Sequence, residues 1–431
     1  MGRDNEVKRM ERYGEYNPTN IEWLPQIPKH WHLETLRKFL RMVSVKNHPE
    51  KPLLSVTREN GVIIRDIESK EENHNFIPED LSGYKYVEVG DFCINKMKSW
   101  QGSYGVSDYE GIVSPAYYIC KLSGVDCKFF SKAIRGKCYV SFFAQYSKGI
   151  RVDQWDLSPI SLKSIPFFLP PKEEQQAIVS YLDTKCSSIE TLLANKEKEI
   201  TLLQEMKQRI IANAVTRGLN PNAKFKPTNI PWLPEIPEHW EVKRAKNLFK
   251  KEQRPIQEGD EIVTCFRDGE VTLRSNRRTS GFTEATDYSH YQHICKGDLV
   301  IHQMDAFAGS SGVSDSDGMG TPVLSVCTPK IEGIDNYYYA HVLRLMGKNG
   351  FILSLYRGIR ERSSDFRFDT FVKQWLPVPP LSEQRAIVSY ITERTSKIDS
   401  LIEKLNKEIE CIKEYKQRLI SDVVTGQIKV S

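Results

Sequence analysis

The sequence predicts an α+β fold: two similar mixed α/β domains separated by two long antiparallel coiled-coil helices, arranged as a pseudo-twofold internal repeat. Three observations lead to it. The segment Pro18 to Trp31 (PTNIEWLPQIPKHW) returns as Pro227 to Trp240 (PTNIPWLPEIPEHW), 209 residues later. A second segment, Leu169 to Leu182 (LPPKEEQQAIVSYL), returns as Val378 to Ile391 (VPPLSEQRAIVSYI) at the same interval. Each of these opens a run of about 45 residues without internal Gly or Pro, far longer than an ordinary globular helix. Self-similarity at one fixed period means that half the chain copies the other half.

In chain order, residues 1–18 are an N-terminal segment, 19–168 the first domain and 169–218 the central helix. Residues 219–377 hold a connector and the second domain, and 378–431 the C-terminal helix and tail. The proline-rich segments Pro18 to Trp31 and Pro227 to Trp240 read as extended connectors that dock through Trp and Ile. Within the domains, short apolar runs between Gly, Ser and Asp turns read as strands: Pro52 to Val56, Gly61 to Ile64, Tyr86 to Ile94 and Ala116 to Leu122, then Glu261 to Phe266, Leu299 to His302 and Leu324 to Cys327. A helical stretch follows in each, Lys128 to Ser147 and Asn336 to Leu355. The match between the domains is thinner than at their borders. Gly90 to Met97 faces Gly297 to Met304, and Gly102 to Asp108 faces Gly309 to Asp315, at an offset of 207.

The long helices start where Pro170 and Pro171, or Pro379 and Pro380, lock extended backbone. Glu173, Glu174 and Glu383 then sit where the helix dipole favours negative charge. Alternating steps of four and three from Leu182 give Cys186, Ile189, Leu193, Lys196, Ile200, Leu203, Lys207, Ile210 and Ala214. From Ile391 they give Thr395, Ile398, Ile402, Leu405, Ile409, Ile412, Lys416, Leu419 and Val423. This is the heptad of a helix burying a narrow stripe against another long helix, and the two seams are natural partners.

Composition sets limits. The 431 residues are 39% hydrophobic and 27% charged, with a formal charge of +5, which permits nucleic acid without demonstrating it. Nine cysteines without a Cys-x-x-Cys pair argue against a disulfide framework and a structural zinc site, and fit a reducing, cytoplasmic compartment. No run approaches the ~20 apolar residues of a membrane span, and the start of the chain lacks a signal-peptide core. No G-x-x-x-x-G-K-[ST] loop is present, which excludes a motor role for this chain. Ser114-Pro115-Ala116-Tyr117-Tyr118 approaches an adenine-methyltransferase motif but lacks its second proline. Asp66, Glu68 and Lys70 read as a solvated charge run rather than a nuclease site. His30 and His239, each before a Trp, read as packing or hydrogen-bonding residues rather than metal ligands.

Taken together, two differing domains, the Trp-Leu-Pro-x-Ile-Pro-x-His-Trp segments and the Pro-Pro-x-x-Glu-Gln-x-Ala-Ile-Val helix starts resemble the specificity subunit of type I restriction and modification systems. So do Ala214 to Leu219 (AVTRGL), closing the first helix, and Val424 to Val430 (VTGQIKV), closing the second. The resemblance spans nearly the whole chain. It implies two target recognition domains that each read half of an interrupted double-stranded DNA site, with the helices as a ruler between them. It also implies a non-catalytic chain on which two methyltransferase subunits and restriction/translocase subunits assemble. S-adenosylmethionine, ATP and Mg would then be bound by those partners and no cofactor by this chain.

DNA reading needs Lys and Arg for phosphates, and planar or forked side chains on loops for base edges. The loop Asn95 to Tyr104 supplies Lys96, Lys98, Trp100, Gln101 and Tyr104, and its counterpart supplies His302, Gln303 and Asp305. A second pair of segments supplies Lys148, Arg151 and Gln154, and Arg357, Arg360 and Arg362, beside glycines that let backbone approach a phosphate. Arg58, Arg65, Arg274, Arg277 and Arg278 are weaker candidates. Two other functions remain open at this point: the recognition module of a fused-type restriction enzyme, separable by its partner, and a coiled-coil scaffold that does not bind DNA, separable by the salt dependence of binding.

Overall fold

Both Pro-Pro dipeptides open helices where the sequence places them, one of 46 residues (Lys172–Arg217) and one of 44 (Leu381–Val424). The computed structural model describes residues 11–66, 77–149, 155–277, 280, 287–355 and 366–430. The chain divides into two compact units, residues 1–197 with 406–431 and residues 198–405, so each unit takes part of both helices. The expected seam appears residue by residue. Between Asp183 and Arg209, Cys186, Ile189, Leu193, Lys196, Ile200, Leu203 and Lys207 are shielded while every other position is exposed. On the C-terminal helix, Ile391, Ile398, Leu405, Ile409, Leu419 and Val423 are buried.

The lysines that interrupt the apolar pattern reach acids on the other helix. In the first unit Lys416 meets Glu190 at 2.7 Å and Lys196 meets Glu408. The partner index falls as the central helix advances, so the helices run antiparallel there. In the second unit Lys207 meets Asp399 at 2.6 Å, and Ile211, Ala214 and Val215 share a core with Ile387 and Ile391, which again is antiparallel. Lys207 and Lys416 are repeat equivalents, as are Asp399 and Glu190, and a polar residue at a seam position is a known means of fixing register.

Each unit builds the same sheets. The first has a four-stranded antiparallel sheet in the order Leu40–Val43, Tyr117–Leu122, Phe92–Asn95, Tyr104–Val106. The second repeats it as Phe249–Lys251, Leu324–Pro329, Leu299–His302, Ser311–Val313. Two-stranded pairs accompany each sheet: Leu54–Thr57 with Gly61–Ile64 and Lys85–Val87 with Gly111–Val113 in the first unit, Val263–Cys265 with Val271–Leu273 and Gln292–Ile294 with Gly318–Gly320 in the second. Helices Cys127–Ile134 and Lys137–Tyr146 bury Phe129, Phe130, Tyr139 and Phe143 with Phe92, Tyr104 and Phe167. Helix Asn336–Lys348 does the same in the second unit with Tyr338, Tyr339 and Leu343. The last strand of each domain pairs with its first, Pro166–Leu169 with His32–Thr35 and Trp375–Val378 with Glu241–Arg244.

The lead-in segments depart from expectation. They are hairpins rather than extended connectors: Tyr16–Ile21 pairs with Leu24–Pro28, and Phe225–Ile230 with Leu233–Pro237, each with an irregularity after the first proline. A two-strand ribbon has a solvent edge for every strand, so prolines that lack an N–H are tolerated. Trp31 and Trp240 anchor them, 3% and 0% exposed. The histidines act as hydrogen-bonding residues, His30 to Glu174 and His239 to Glu383, both at 2.8 Å. The Gln after each Glu is the inner half of the motif. Gln175 accepts from the N–H of Asp126 at 2.9 Å and donates to Pro170 O at 2.9 Å, and Gln384 accepts from the N–H of Asp335 at 2.9 Å and donates to Pro379 O at 2.8 Å. The motif therefore bolts each helix start to its domain.

Candidate nucleic-acid interface

At the end of strand Phe92–Asn95 the chain folds back through one short turn, Ser99–Gln101, closed by Gly102 at φ +96°. The second unit repeats this with Ala306–Ala308 and Gly309 at φ +102°. Only a residue without Cβ enters that left-handed region freely, so the two glycines fix identical backbones. The side chains they present differ: Lys96 against Gln303, Lys98 against Asp305, Trp100 against Phe307, Gln101 against Ala308.

In the first unit the two segments singled out in the sequence form one surface. Leu157 donates to Lys96 O at 3.1 Å, Lys148 and Asp156 exchange backbone hydrogen bonds at 3.1 and 3.0 Å, and the Trp100 and Trp155 rings lie 5.1 Å apart. Lys96 reaches Asp156 at 3.2 Å, Lys98 and Lys148 are exposed with no carboxylate partner among the described residues, and Gln101 is half-buried. Tyr104 is corrected. It is fully buried, stacked on Phe143 at 3.9 Å, and serves the core instead of facing a ligand, because strand alternation turns it towards the helices. Arg135 lies under this surface. Its guanidinium donates to the carbonyls of Gly102, Tyr104, Arg58 and Glu59 at 2.6–3.0 Å, which occupies it in holding the turns.

Sequence reasoning missed Lys46, Lys85, Tyr117 and Tyr118. Lys85 donates to Tyr117 O at 2.6 Å, and Asn95 donates to the Tyr117 hydroxyl at 3.2 Å. Burial first, then the neighbouring Lys46 and Lys96 ammoniums, hold the Lys85 pKa below the ordinary lysine value. Three cations thus gather around the backbone of Tyr117, whose side chain and that of Tyr118 turn to opposite faces of the strand. Lys85 and Tyr117 come together only through pairing between distant strands, and no local signal in the sequence marks that.

The second unit puts neutral groups at the same points. Gln292 donates to Leu324 O at 2.9 Å, as Lys85 does to Tyr117 O, and Gln303 donates to Ser325 Oγ at 3.2 Å. His302 accepts from the Asp305 N–H at 3.1 Å, and burial holds its pKa below the ordinary histidine value despite Asp305. Asp305 itself accepts from Arg267 at 2.9 Å. Arg277 meets Asp268 at 2.7 Å and Glu270 at 2.8 Å, and Arg58 meets Glu59 at 3.7 Å. Arg65 and Arg274 are partly shielded. Arg151, Gln154, Arg278, Arg357, Arg360 and Arg362 lie outside the described residues.

Residues 237–411 match the family model described as "Type I restriction modification DNA specificity domain". This stretch is similar to a type I DNA specificity domain. Over the longer chain, one similar protein from Methanocaldococcus jannaschii, provisionally named the type I restriction enzyme MjaX specificity subunit, is 22% identical, with 98% of this chain and 99% of that protein covered. The Type I restriction enzyme EcoBI specificity subunit of Escherichia coli is 23% identical over 72% of this chain and 68% of its own length. Among solved structures, a chain described as "Structural basis underlying complex assembly and conformational transition of the type I R-M system" superposes with a TM-score of 0.65 at 14% identity, covering 93% of this chain and 99% of that one. The HsdS subunit from Thermoanaerobacter tengcongensis gives 0.50 at 14% identity, covering 93% and 98%. The specificity-subunit fold expected from the sequence is the fold found. Among the described residues, no helix is long and apolar enough to cross a membrane.

Proposed function

We propose that this chain is the DNA-reading, non-catalytic specificity subunit of a type I restriction–modification complex, with each domain reading one half of an interrupted site. The observation that carries the reading is one backbone scaffold presenting two side-chain sets: a cationic and aromatic one at Lys85, Lys96 and Tyr118, and a neutral one at the equivalent Gln292, Gln303 and Ser325. A protein reading two different half-sites requires that difference, since base edges are discriminated by side-chain donors and acceptors while phosphates only need charge. Lys98 and Lys148 then contact phosphates. In this reading two methyltransferase subunits dock on the long helices and supply S-adenosylmethionine chemistry at adenine. Restriction/translocase subunits bring ATP and Mg, and the complex works in the cytoplasm.

The test is a map of N6-methyladenine in a methylation-free host that expresses this chain with its methyltransferase partner. The expected result is a two-part motif with one methylated adenine per half, on opposite strands. A continuous motif, or unmethylated DNA despite a stable complex, overturns the proposal.

A further inference from the structure

One cluster in the second domain involves the strand that carries Gln292, with His293 turned to the opposite face from Gln292. A ring nitrogen of His293, the Cys295 thiol and a carboxylate oxygen of Asp317 all lie within 4.8 Å of one another. Strand pairing brings them together. His293 faces Met319 and Ile294 faces Gly318 across the antiparallel pair, so the same register carries Cys295 opposite Asp317, and residues 293 and 295 share one face.

The groups are held in advance. His293 is 5% exposed, and the Asp260 carboxylate accepts from its Nδ1 at 2.8 Å. With Nδ1 engaged by Asp260, the other ring nitrogen, Nε2, has no hydrogen-bond partner among the described residues. One oxygen of Asp317 accepts from the Lys296 N–H at 2.9 Å, which orients the other. No lysine or arginine among the described residues reaches Asp260 or Asp317, and the nearby Arg254 is engaged by Asp298 at 2.5 and 3.3 Å.

The internal repeat supplies an independent comparison. The positions equivalent to Asp260, His293, Cys295 and Asp317 in the first domain are Lys51, Tyr86, Glu88 and Glu110. There the Lys51 ammonium lies 2.6 Å from Glu110, Tyr86 donates to Glu110, and Lys121 neutralises Glu88 at 2.7 Å. The first domain carries its cations as side chains. The second domain has exchanged that lysine for a carboxylate and brought in an imidazole and a thiol, which leaves a cluster of donors with no cation of its own.

We propose that His293, Cys295 and Asp317 bind a divalent transition-metal ion of the zinc type, with Asp260 orienting His293. Nitrogen, sulfur and oxygen donors in this number suit a four-coordinate ion whose fourth position is taken by water. The ion ties the strand Gln292–Ile294 to the turn before Gly318 and, through Asp260, to the loop ahead of Val263, doing for the second domain what Lys51 does for the first. The site is independent of the DNA-reading proposal.

The experiment uses the full chain stripped with a chelator and titrated with cobalt(II) alone. The expected result is one equivalent bound, with a near-ultraviolet thiolate-to-cobalt charge-transfer band and the visible bands of a four-coordinate ion, both displaced by zinc. Cys295→Ser removes the charge-transfer band, and Cys411→Ser, an exposed cysteine on the C-terminal helix, leaves it unchanged. Asp317→Asn changes an exposed side chain, so it tests the site even if Cys295→Ser does not fold, and it weakens cobalt binding at least tenfold. No stoichiometric binding, a band that survives Cys295→Ser, or an affinity unchanged by Asp317→Asn overturns the proposal.

Discussion

His341, on the helix Asn336–Lys348, has its Nδ1 buried without a hydrogen-bond partner among the described residues. Burial first, and then the Arg344 guanidinium, push its pKa down to about 4. In the unfolded chain a histidine titrates near 6.5. Above that value neither state binds the proton and the stability of the second unit is complete. As pH falls, the unfolded chain takes up a proton that the folded one refuses until about 4. Stability therefore drops through this window, by up to about 3 kcal/mol. His302, held low by burial as well, adds a smaller loss of the same sign. His341→Phe leaves no partner orphaned, and it is expected to flatten most of the decline in urea-unfolding free energy between pH 7 and 4.5. A decline as steep as in the unsubstituted chain shows that the proton goes elsewhere. At this scale the sequence was only partly legible. The pairing of His30 and His239 by hydrogen bonds could be inferred from their fixed place before a Trp, but the burial of Tyr104 could not. An aromatic in a Gly- and Ser-rich loop looks solvent-facing until strand alternation and Phe143 are in place.

At the scale of elements the heptad made the long helices readable, since a 4-3 pattern is local information that needs no partner to be seen. The hairpins of the lead-in segments were hidden by their prolines, and the cluster of Lys46, Lys85 and Lys96 by the long-range pairing that assembles it. The seam lysines now acquire a role. Lys207 touches both oxygens of Asp399 at 2.6 and 2.7 Å, and its repeat equivalent Lys416 touches Glu190 at 2.7 Å. Both pairs are partly solvated, so each contributes about 0.5–1 kcal/mol, and the value lies in the alignments they disfavour. Lys207→Glu sets two acids against each other and is expected to cost about 1 kcal/mol at low salt. Asp399→Lys costs a similar amount, and the double exchange recovers most of it. Thermal denaturation of all four proteins measures the coupling, which shrinks as salt screens the pair. Additive losses in the double exchange are incompatible with the observed register.

For the whole molecule the question is what the long helices measure. If they set the separation of the two half-sites, the spacer between half-sites depends on their length, and a deletion must keep the seam to test this cleanly. Seven residues are two turns of a coiled coil, so removing Leu193 to Glu199 and Ile402 to Glu408 together preserves both stripes and the antiparallel alignment. The removed rise is ~10 Å, about three base pairs of B-DNA. The two domains are untouched, so both half-sites keep their bases while the tolerated spacer contracts by about three base pairs. Mapping methylated adenines for the shortened chain with its methyltransferase partner reads both quantities at once. An unchanged spacer removes the ruler from the proposal, and altered half-site bases show that the helices themselves take part in reading.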